Sequence, residues 1–456
     1  MPITRFKSSV FGATWPAVPS AEAAQVLALQ AQLEQSQWLS ASALRDAQFS
    51  QLQGLLRFCL ETVPFYRTHW QGQDFSALTP ERWRDIPLLP RRALQGAGND
   101  LCSQVDIPSQ GKRQKITTSG STGRPVEVMS TALTRMFWRA FVLREHFWHG
   151  RDFSAKLAAI RSFKHIKNAP AEGLRGDNWG TATKDLIHTG PSAMFDLTAD
   201  LSQQAAWLLR ESPAYLLAHP STLLGLAHYY DKNALALTNL REVRSIGETL
   251  PDEVRAVCRR VWGVPLVDLY SCQEMGYLAV QCPQHEHYHV QSENVLLEVL
   301  DDAGNECQPS QVGRVVVTSL HNWATPMIRY EIGDYAQVGA PCACGRGLPV
   351  LQRILGRARN LLTLPSGERR WPRLGFGAGL LAIAPIEQIQ LIQQTPQAID
   401  VRLVVLRPLT LNETQNLSAF ILKNLAYPFT LRFEFCAELR PAANGKMEQF
   451  ISMVGP

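Results

Sequence analysis

The chain lacks the features of a membrane-spanning, secreted or polyanion-binding protein. Among its 456 residues no uninterrupted apolar stretch reaches the roughly 18 to 20 residues that span a bilayer. The opening MPITRFKSSVFGATWPAV carries basic residues without the apolar core of a signal peptide. The expectation is a cytoplasmic protein with no membrane partner. Its 45 basic and 40 acidic residues are scattered, for a net charge of +5. No block of like charge forms, which argues against a nucleic-acid partner. Nine cysteines, an odd number in a long chain without a secretion signal, do not read as a disulfide framework. Internal repeats and low-complexity tracts are missing too. So are the G-K-[ST] ending of a Walker A loop and the G-x-S-x-G elbow of an α/β hydrolase.

What is present suits a large folded protein: 45% of residues are apolar and 19% charged. The length exceeds what one core usually supports, so two domains of unequal size are expected, with monomer and homodimer both open. Apolar positions at helical spacing (Val26, Leu29, Leu33, then Leu52, Leu56, Cys59) predict a helical lead-in over 1–67, with Val63-Pro64 ending its second helix. From about residue 156, β-rich runs (KLAAIRSF, YLLAH, VRSIGET, PLVDLYS) alternate with helical ones, the pattern of parallel strands with crossover helices. After residue 290 the strands come close together (VLLEVLDD, GRVVVTSL, DYAQVG) and read as antiparallel. The predicted fold class is α/β. A large N-terminal domain, 1–356, combines parallel α/β sheets with an antiparallel β region, and a small mobile α+β C-terminal domain covers 357–456.

One loop has the composition of a ligand cradle. Thr117-Thr118-Ser119-Gly120-Ser121-Thr122-Gly123 concentrates hydroxyls and glycines between two strand-like pieces. Glycines let a backbone approach a ligand closely, and successive N–H groups beside hydroxyls make a donor surface suited to phosphate. On composition alone the same loop also reads as a plain surface loop.

Other motifs follow in order: Tyr270-Ser271-Cys272-Gln273-Glu274, Arg329-Tyr330-Glu331-Ile332-Gly333-Asp334, Ile354-Leu355-Gly356-Arg357 and Asn444-Gly445-Lys446. With TTSGSTGRP, the set resembles the adenylate-forming superfamily of acyl-CoA synthetases, adenylation domains and luciferases. VPFYR at 63–67, HPS at 219–221 and SIGETL at 245–250 are similar to its phenylacetate-CoA ligase and capsule-biosynthesis subgroup.

The resemblance implies ATP-dependent activation of a carboxylic acid as acyl-adenylate, with release of pyrophosphate. The acyl group then passes to CoA, a carrier-protein thiol or an amine. Negative charge spreads over phosphate oxygens in such a step, so positioning and electrostatic stabilisation carry most of the catalysis. By resemblance, Thr118 through Gly123 cradle the phosphates, and Gly247, Glu248 and Ser271 contribute to the nucleotide site. Tyr270 stacks on adenine, Glu274 holds Mg²⁺ and Asp334 accepts from the ribose hydroxyls. Arg357 contacts ribose or phosphate, and Lys446 brings a positive charge to the reacting carboxylate. Any one of these residues, met alone, reads as a surface or capping side chain.

The chain departs from the family pattern in two places. Gln273 stands where the family has threonine, and Gly356-Arg357-Ala358-Arg359-Asn360 lacks the acid of the usual G-R-x-D-D hinge. Adenylation is expected to persist while the acceptor stays open. The altered hinge also leaves room for a catalytically weakened homologue acting as an accessory protein in polysaccharide or natural-product assembly.

A metal site is the second expectation. Cys282-Pro-Gln-His285-Glu-His287-Tyr-His289 and Cys342-Ala-Cys344-Gly345 offer thiolates and imidazoles suited to tetrahedral Zn²⁺, although reduced cysteines and surface histidines read equally well from the residues. The resemblance to zinc-binding relatives points to Cys282, His289, Cys342 and Cys344, with His287 or His285 as substitutes, in a closed structural site. The acyl pocket is expected between the helix after His219-Pro220-Ser221 and the strand of Ser245 to Glu248. Trp179, Gly180 and Trp323 are its expected walls, and an aromatic acid is the expected substrate.

Overall fold

The structure, a computed structural model, describes residues 5–71, 79–117, 126–164, 166, 169–372, 380, 383–439 and 448–454. Helices α1 (Ala21–Ser36), α2 (Ala41–Thr62) and α3 (Pro64–His69) form the lead-in, and Pro64 starts α3 where the preceding helix stops. The Ser20 and Ser40 side chains cap α1 and α2 by accepting from Ala23 N and Ala43 N. After α4 (Arg91–Ala97) comes a hairpin, β1 (Gln114–Thr117) with β2 (Glu127–Ser130), in which Thr117 faces Glu127. Helix α5 (Ala132–Trp148) follows, closed at its start by a reciprocal Thr131–Thr134 capping box.

After β3 (Leu157–Arg161) come two strands that the alternation did not include, β4 (Leu174–Gly176), antiparallel at the sheet edge, and β5 (Ser192–Asp196); from there the predicted alternation is present, with α6 (Leu201–Glu211), β6 (Tyr215–Ala218), α7 (Pro220–Lys232), β7 (Glu242–Ile246), α8 (Asp252–Trp262) and β8 (Leu266–Cys272). Strands β9 (Gly276–Gln281), β10 (Tyr288–Val290), β11 (Val295–Leu300), β12 (Val312–Ser319), β13 (Tyr330–Val338) and β14 (Val350–Arg357) complete the antiparallel part. The two textures are halves of one 12-stranded sheet, ordered β11-β12-β13-β14-β10-β9-β8-β7-β6-β3-β5-β4. The change of direction falls between β8 and β9, which pair antiparallel, whereas β7 and β8 pair parallel.

On one face of the parallel half, Trp207, Leu208, Leu223 and Leu226 of α6 and α7 cover Ala158, Ile160, Leu216 and Val243. Each fully buried aliphatic chain contributes about 1.5 to 3 kcal/mol. The other face lies under α5, whose Phe141 and Leu143 join Leu269, Tyr277 and Val280. Among its buried side chains is a charged quartet. Arg151 reaches Glu145 at 2.7 Å and Glu242 at 2.6 Å, and Arg244 closes on the second oxygen of Glu145.

Beyond β14 lie the short pair β15 (Leu362–Thr363) and β16 (Arg369–Arg370), then β17 (Ile386–Thr395), β18 (Ala398–Val405), α9 (Leu411–Leu425), β19 (Thr430–Phe435) and β20 (Phe450–Ser452). The last four strands form a separate sheet, β19-β18-β17-β20. Leu391, Val401, Leu417, Ile421 and Phe450 fill the core it shares with α9.

Candidate functional site

Asp334 and Arg357, far apart in sequence, are register partners across β13 and β14. Arg357 Nε lies 3.3 Å from Asp334 Oδ1, and the Tyr270 hydroxyl donates to Asp334 Oδ2 at 2.9 Å. Burial, then the facing Asp334 carboxylate, push the Tyr270 phenol well above its usual range, so it stays a protonated donor. Gly333 makes the approach possible: its φ of +87° turns the chain just before Asp334, a conformation other residues avoid. Arg329, the first residue of the same motif, is structural. Buried, it forks onto Glu298 at 2.9 and 3.2 Å and donates to Ile86 O at 2.7 Å, fixing the start of β13.

Glu274 sits in the turn from β8 to β9, buried, with Arg91 Nη1 3.6 Å from its Oε1. Arg91 also donates to the Tyr330 hydroxyl at 2.9 Å. Nothing in the sequence marks Arg91 as part of this cluster. A single carboxylate suits Mg²⁺, which takes one or two from protein and the rest from phosphate and water. Ser271 lies on β8 beside Tyr270, half-buried. Gly247 has φ +87° just past the end of β7. Glu248 accepts from Ser221 N and Ser221 Oγ, both at 3.0 Å, at the N-terminus of α7. A carboxylate there complements the helix dipole.

The altered hinge has a partner that the sequence pattern does not reveal. Asn360 Oδ1 accepts from Arg357 N at 2.9 Å, and Asn360 Nδ2 donates to Glu448 Oε2 at 2.8 Å and to Phe450 O at 2.7 Å. Arg359 Nε donates to the same Glu448 oxygen at 2.9 Å. A carboxylate from the segment after Lys446 thus meets both Arg359 and Asn360. Gly356 cannot be larger: at φ +101° an added Cβ would stand 2.9 Å from Thr249 Oγ1. Thr118, Ser119, Gly120, Ser121, Thr122, Gly123 and Lys446 lie outside the described residues.

Cys282, His289, Cys342 and Cys344 come together with their donor atoms within 4.8 Å of one another. Cys282 Sγ and Cys342 Sγ are 3.8 Å apart, close to the edge of about 3.8 Å that two Zn–S bonds of about 2.3 Å span in a tetrahedron. Cys344 Sγ lies 3.4 Å from His289 Nε2, and His289 Nδ1 faces Leu348 O at 3.4 Å, leaving Nε2 for a metal. Gly345, at φ +87°, turns the Cys342–Cys344 knuckle. His287 stands outside the quartet with Nε2 3.0 Å from Cys342 Sγ, and His285 stacks on it. The donor set fits Zn²⁺. The knuckle also ties the lead-in to α5: Arg346 lies over Trp38, after α1, and over Trp148 of α5, with ring centroids 4.9 and 4.4 Å away.

The three expected pocket walls are elsewhere. Trp179 packs on Phe153 and Tyr215 and donates to Ala155 O at 2.9 Å, at the N-terminal ends of the parallel strands. Its neighbour Gly180 goes with it. Trp323 packs on Phe58 of α2. Both tryptophans fill space between elements. The expected pocket boundary at His219 and Ile246 does lie at the C-terminal strand ends, where open α/β sheets bind ligands.

Known proteins agree with the motifs. The chain is 25% identical over 338 residues to the phenylacetate-coenzyme A ligase of Thermus thermophilus, covering 70% of this chain and 72% of the relative. It is 23% identical over 351 residues to that of Pseudomonas putida, covering 74% and 75%. No protein-family model matches. Among solved structures, 2-hydroxyisobutyryl-CoA ligase in the postadenylation state with R3-HIB-AMP aligns at TM-score 0.71 and 19% identity, over 92% of this chain and 91% of that one. The same enzyme in its thioesterification state aligns at 0.60. The chain is similar in sequence to phenylacetate-CoA ligases and has the fold of adenylate-forming enzymes.

Proposed function

We propose that the protein is an adenylate-forming ligase: it activates a carboxylic acid with ATP, releases pyrophosphate and passes the acyl group to an acceptor thiol, with CoA the first candidate. The observation that carries this reading is the meeting of Tyr270, Asp334 and Arg357, three residues from three separate motifs, on adjacent parts of one sheet. An ionised Asp334 is a strong acceptor for ribose hydroxyls, and the Tyr270 ring offers a face for the base. Glu274 would hold Mg²⁺, which would neutralise phosphate charge. Lys446 would approach the reacting carboxylate, in line with the tie from the hinge to Glu448 close behind it. Residues 118–123 would bind the departing pyrophosphate.

A small C-terminal domain beginning near residue 357 would turn about Gly356 to admit the acceptor. The higher similarity to a postadenylation-state structure supports placing this conformation at the first half-reaction. Cys282, His289, Cys342 and Cys344 would hold a structural Zn²⁺, with four protein ligands and none left for water. The relatives, all named as ligases, favour this reading over an inactive accessory protein. Mass spectrometry after incubation with ATP, Mg²⁺ and mixed carboxylic acids, with and without CoA, tests it. Acyl-adenylate and AMP are expected with an acid present, and acyl-CoA when CoA is added. ATP binding with neither product would contradict it.

A further inference from the structure

Arg91 stands beside the proposed magnesium ligand with most of its hydrogen-bonding capacity unused. The backbone fixes its place: Leu89 N donates to Arg329 O at 2.9 Å and Glu331 N donates to Leu89 O at 3.0 Å, which holds the segment before α4 against the start of β13. Leu89 and Leu94, both buried, anchor the chain on either side. Arg91 thus opens α4 beside Tyr330, whose hydroxyl accepts from Nη1 at 2.9 Å. The same Nη1 is 3.6 Å from Glu274 Oε1, outside hydrogen-bond range. The two side chains are 17% and 6% exposed, so solvent screens their charges little.

Neither group is satisfied by protein. Arg91 Nε is buried with no partner, and among the described residues the bond to Tyr330 is the one its guanidinium makes. The Glu274 carboxylate makes none with them. Polar groups left unpaired in a nearly buried place are costly, and a ligand that engages both relieves that cost. A carboxylate suits a cation and a guanidinium suits an oxyanion, so the pair side by side fits a metal ion together with the phosphate it carries. Arg357, the other arginine of the nucleotide cluster, is already set against Asp334 at 3.3 Å. The triphosphate brings more negative charge than the single carboxylate of the acid, and the cation nearest Glu274 is Arg91 among the ion pairs of the described residues.

We propose that Arg91 is a nucleotide-binding residue: with Glu274 on the metal ion, its guanidinium holds a phosphate oxygen of ATP and shares the negative charge that moves onto the departing pyrophosphate. The inference rests on the adenylation reading and adds to it a cation that no ordered motif contains. Release of Glu274 to the metal ion would leave Arg91 without a counter-charge, and the phosphate supplies one.

Calorimetric binding of Mg·ATP in the absence of acid, together with pyrophosphate exchange, tests this in Arg91→Gln, Arg91→Lys and Tyr330→Phe. Arg91→Gln is expected to weaken Mg·ATP binding by ~10- to 100-fold and to raise the KM for pyrophosphate in step, with the KM for the acid within about twofold of the parent. Arg91→Lys, which keeps the charge, should recover part of the loss, and Tyr330→Phe, which removes only the protein partner, should cost less. Parent affinity for Mg·ATP in Arg91→Gln, or a rise in the KM for the acid as large as that for ATP, would overturn the proposal. So would a loss that Arg91→Lys does not relieve and that comes with a lower melting temperature, the mark of a structural role. Mg·ATP binding that depends on Arg91 without acid-dependent exchange would support the phosphate contact and contradict adenylation. Exchange in Arg91→Gln at the parent KM for ATP would do the reverse. A parent protein that binds no Mg·ATP would overturn both.

Discussion

In the antiparallel half of the sheet, functional side chains face one another across strand pairs: Asp334 meets Arg357 in register, and the β9–β10 turn meets the β13–β14 loop in the Cys/His cluster. In the parallel half the expected pocket residues stand on strand ends instead, with His219 and Ile246 contributed by separate βα units. Antiparallel pairing brings two motif residues into contact through backbone register alone, which suits a fixed group such as a nucleotide or a metal ion. Parallel strand ends lie as close together but lead into separate loops, which suits a variable group such as the acyl chain. The residues proposed for the nucleotide and the metal therefore fall in recognisable motifs, and those expected to face the acid do not.

Ways to break this contrast start with the metal. Cys342→Ser should abolish zinc retention and unravel the β9–β10 and β13–β14 junction, because structural zinc is worth on the order of 10 kcal/mol of folding energy. Metal content and the melting temperature report it. Zinc below about half an equivalent in the parent protein would remove the metal from the account. Next, Asp334→Asn should lower kcat/KM for ATP by ~100-fold, since charged hydrogen bonds to two hydroxyls weaken together, while zinc content and melting stay near the parent values. Loss of zinc in that variant would mean that the antiparallel half is one cooperative unit rather than two sites on one frame.

Acid sharpens the comparison further. His149, at the end of α5 beside Arg151, is held down to about 3, first by burial and then by Arg151. His321, in the antiparallel half, is held down to about 4 by burial, and its Nε2 lies 2.7 Å from Glu293 O. Both folded values lie below the ordinary 6.5, so their stabilising contribution is full above about pH 6.5 and declines as the pH falls toward 4 and 3. Each histidine should steepen the loss by about 1.4 kcal/mol per pH unit in that window. Urea titrations between pH 7 and 5 measure it, and His149→Gln should flatten the slope by about one histidine's share. The smallest effect is expected at the hinge. Glu448→Gln, which weakens the hold on Arg359, should slow adenylation ~10-fold and leave acyl transfer from preformed adenylate unchanged. Single-turnover kinetics separate the two steps.

Much of the fold was legible in local pattern. The βα alternation from β3 to β8 and helix α9 at residues 411–425 fall where periodicity and turn residues put them. Helix α5 did not, because ALTRMFWRAFVLREHFW is apolar or buried on several sides and its 3.6-residue stripe is blurred by interior charges such as Arg144 and Glu145. Strands β4, β5, β9 and β10 are short or take their burial from long-range pairing. Within the site, Tyr270, Glu274, Asp334, Arg357 and the Cys/His quartet were legible because they sit in ordered motifs. Arg91 against Glu274 and Glu448 against the hinge were not, since each joins residues distant in sequence and no spacing encodes such a pair. Trp179 differs from its expected place for the same reason: its neighbours at Phe153 and Tyr215 decide its role.

Acid-dependent exchange of labelled pyrophosphate into ATP reports the adenylation step itself. The account predicts label in ATP only when a suitable carboxylic acid is present, and at least a ~100-fold slower rate in Asp334→Asn at limiting ATP. No incorporation with any acid, or incorporation independent of acid, would contradict it.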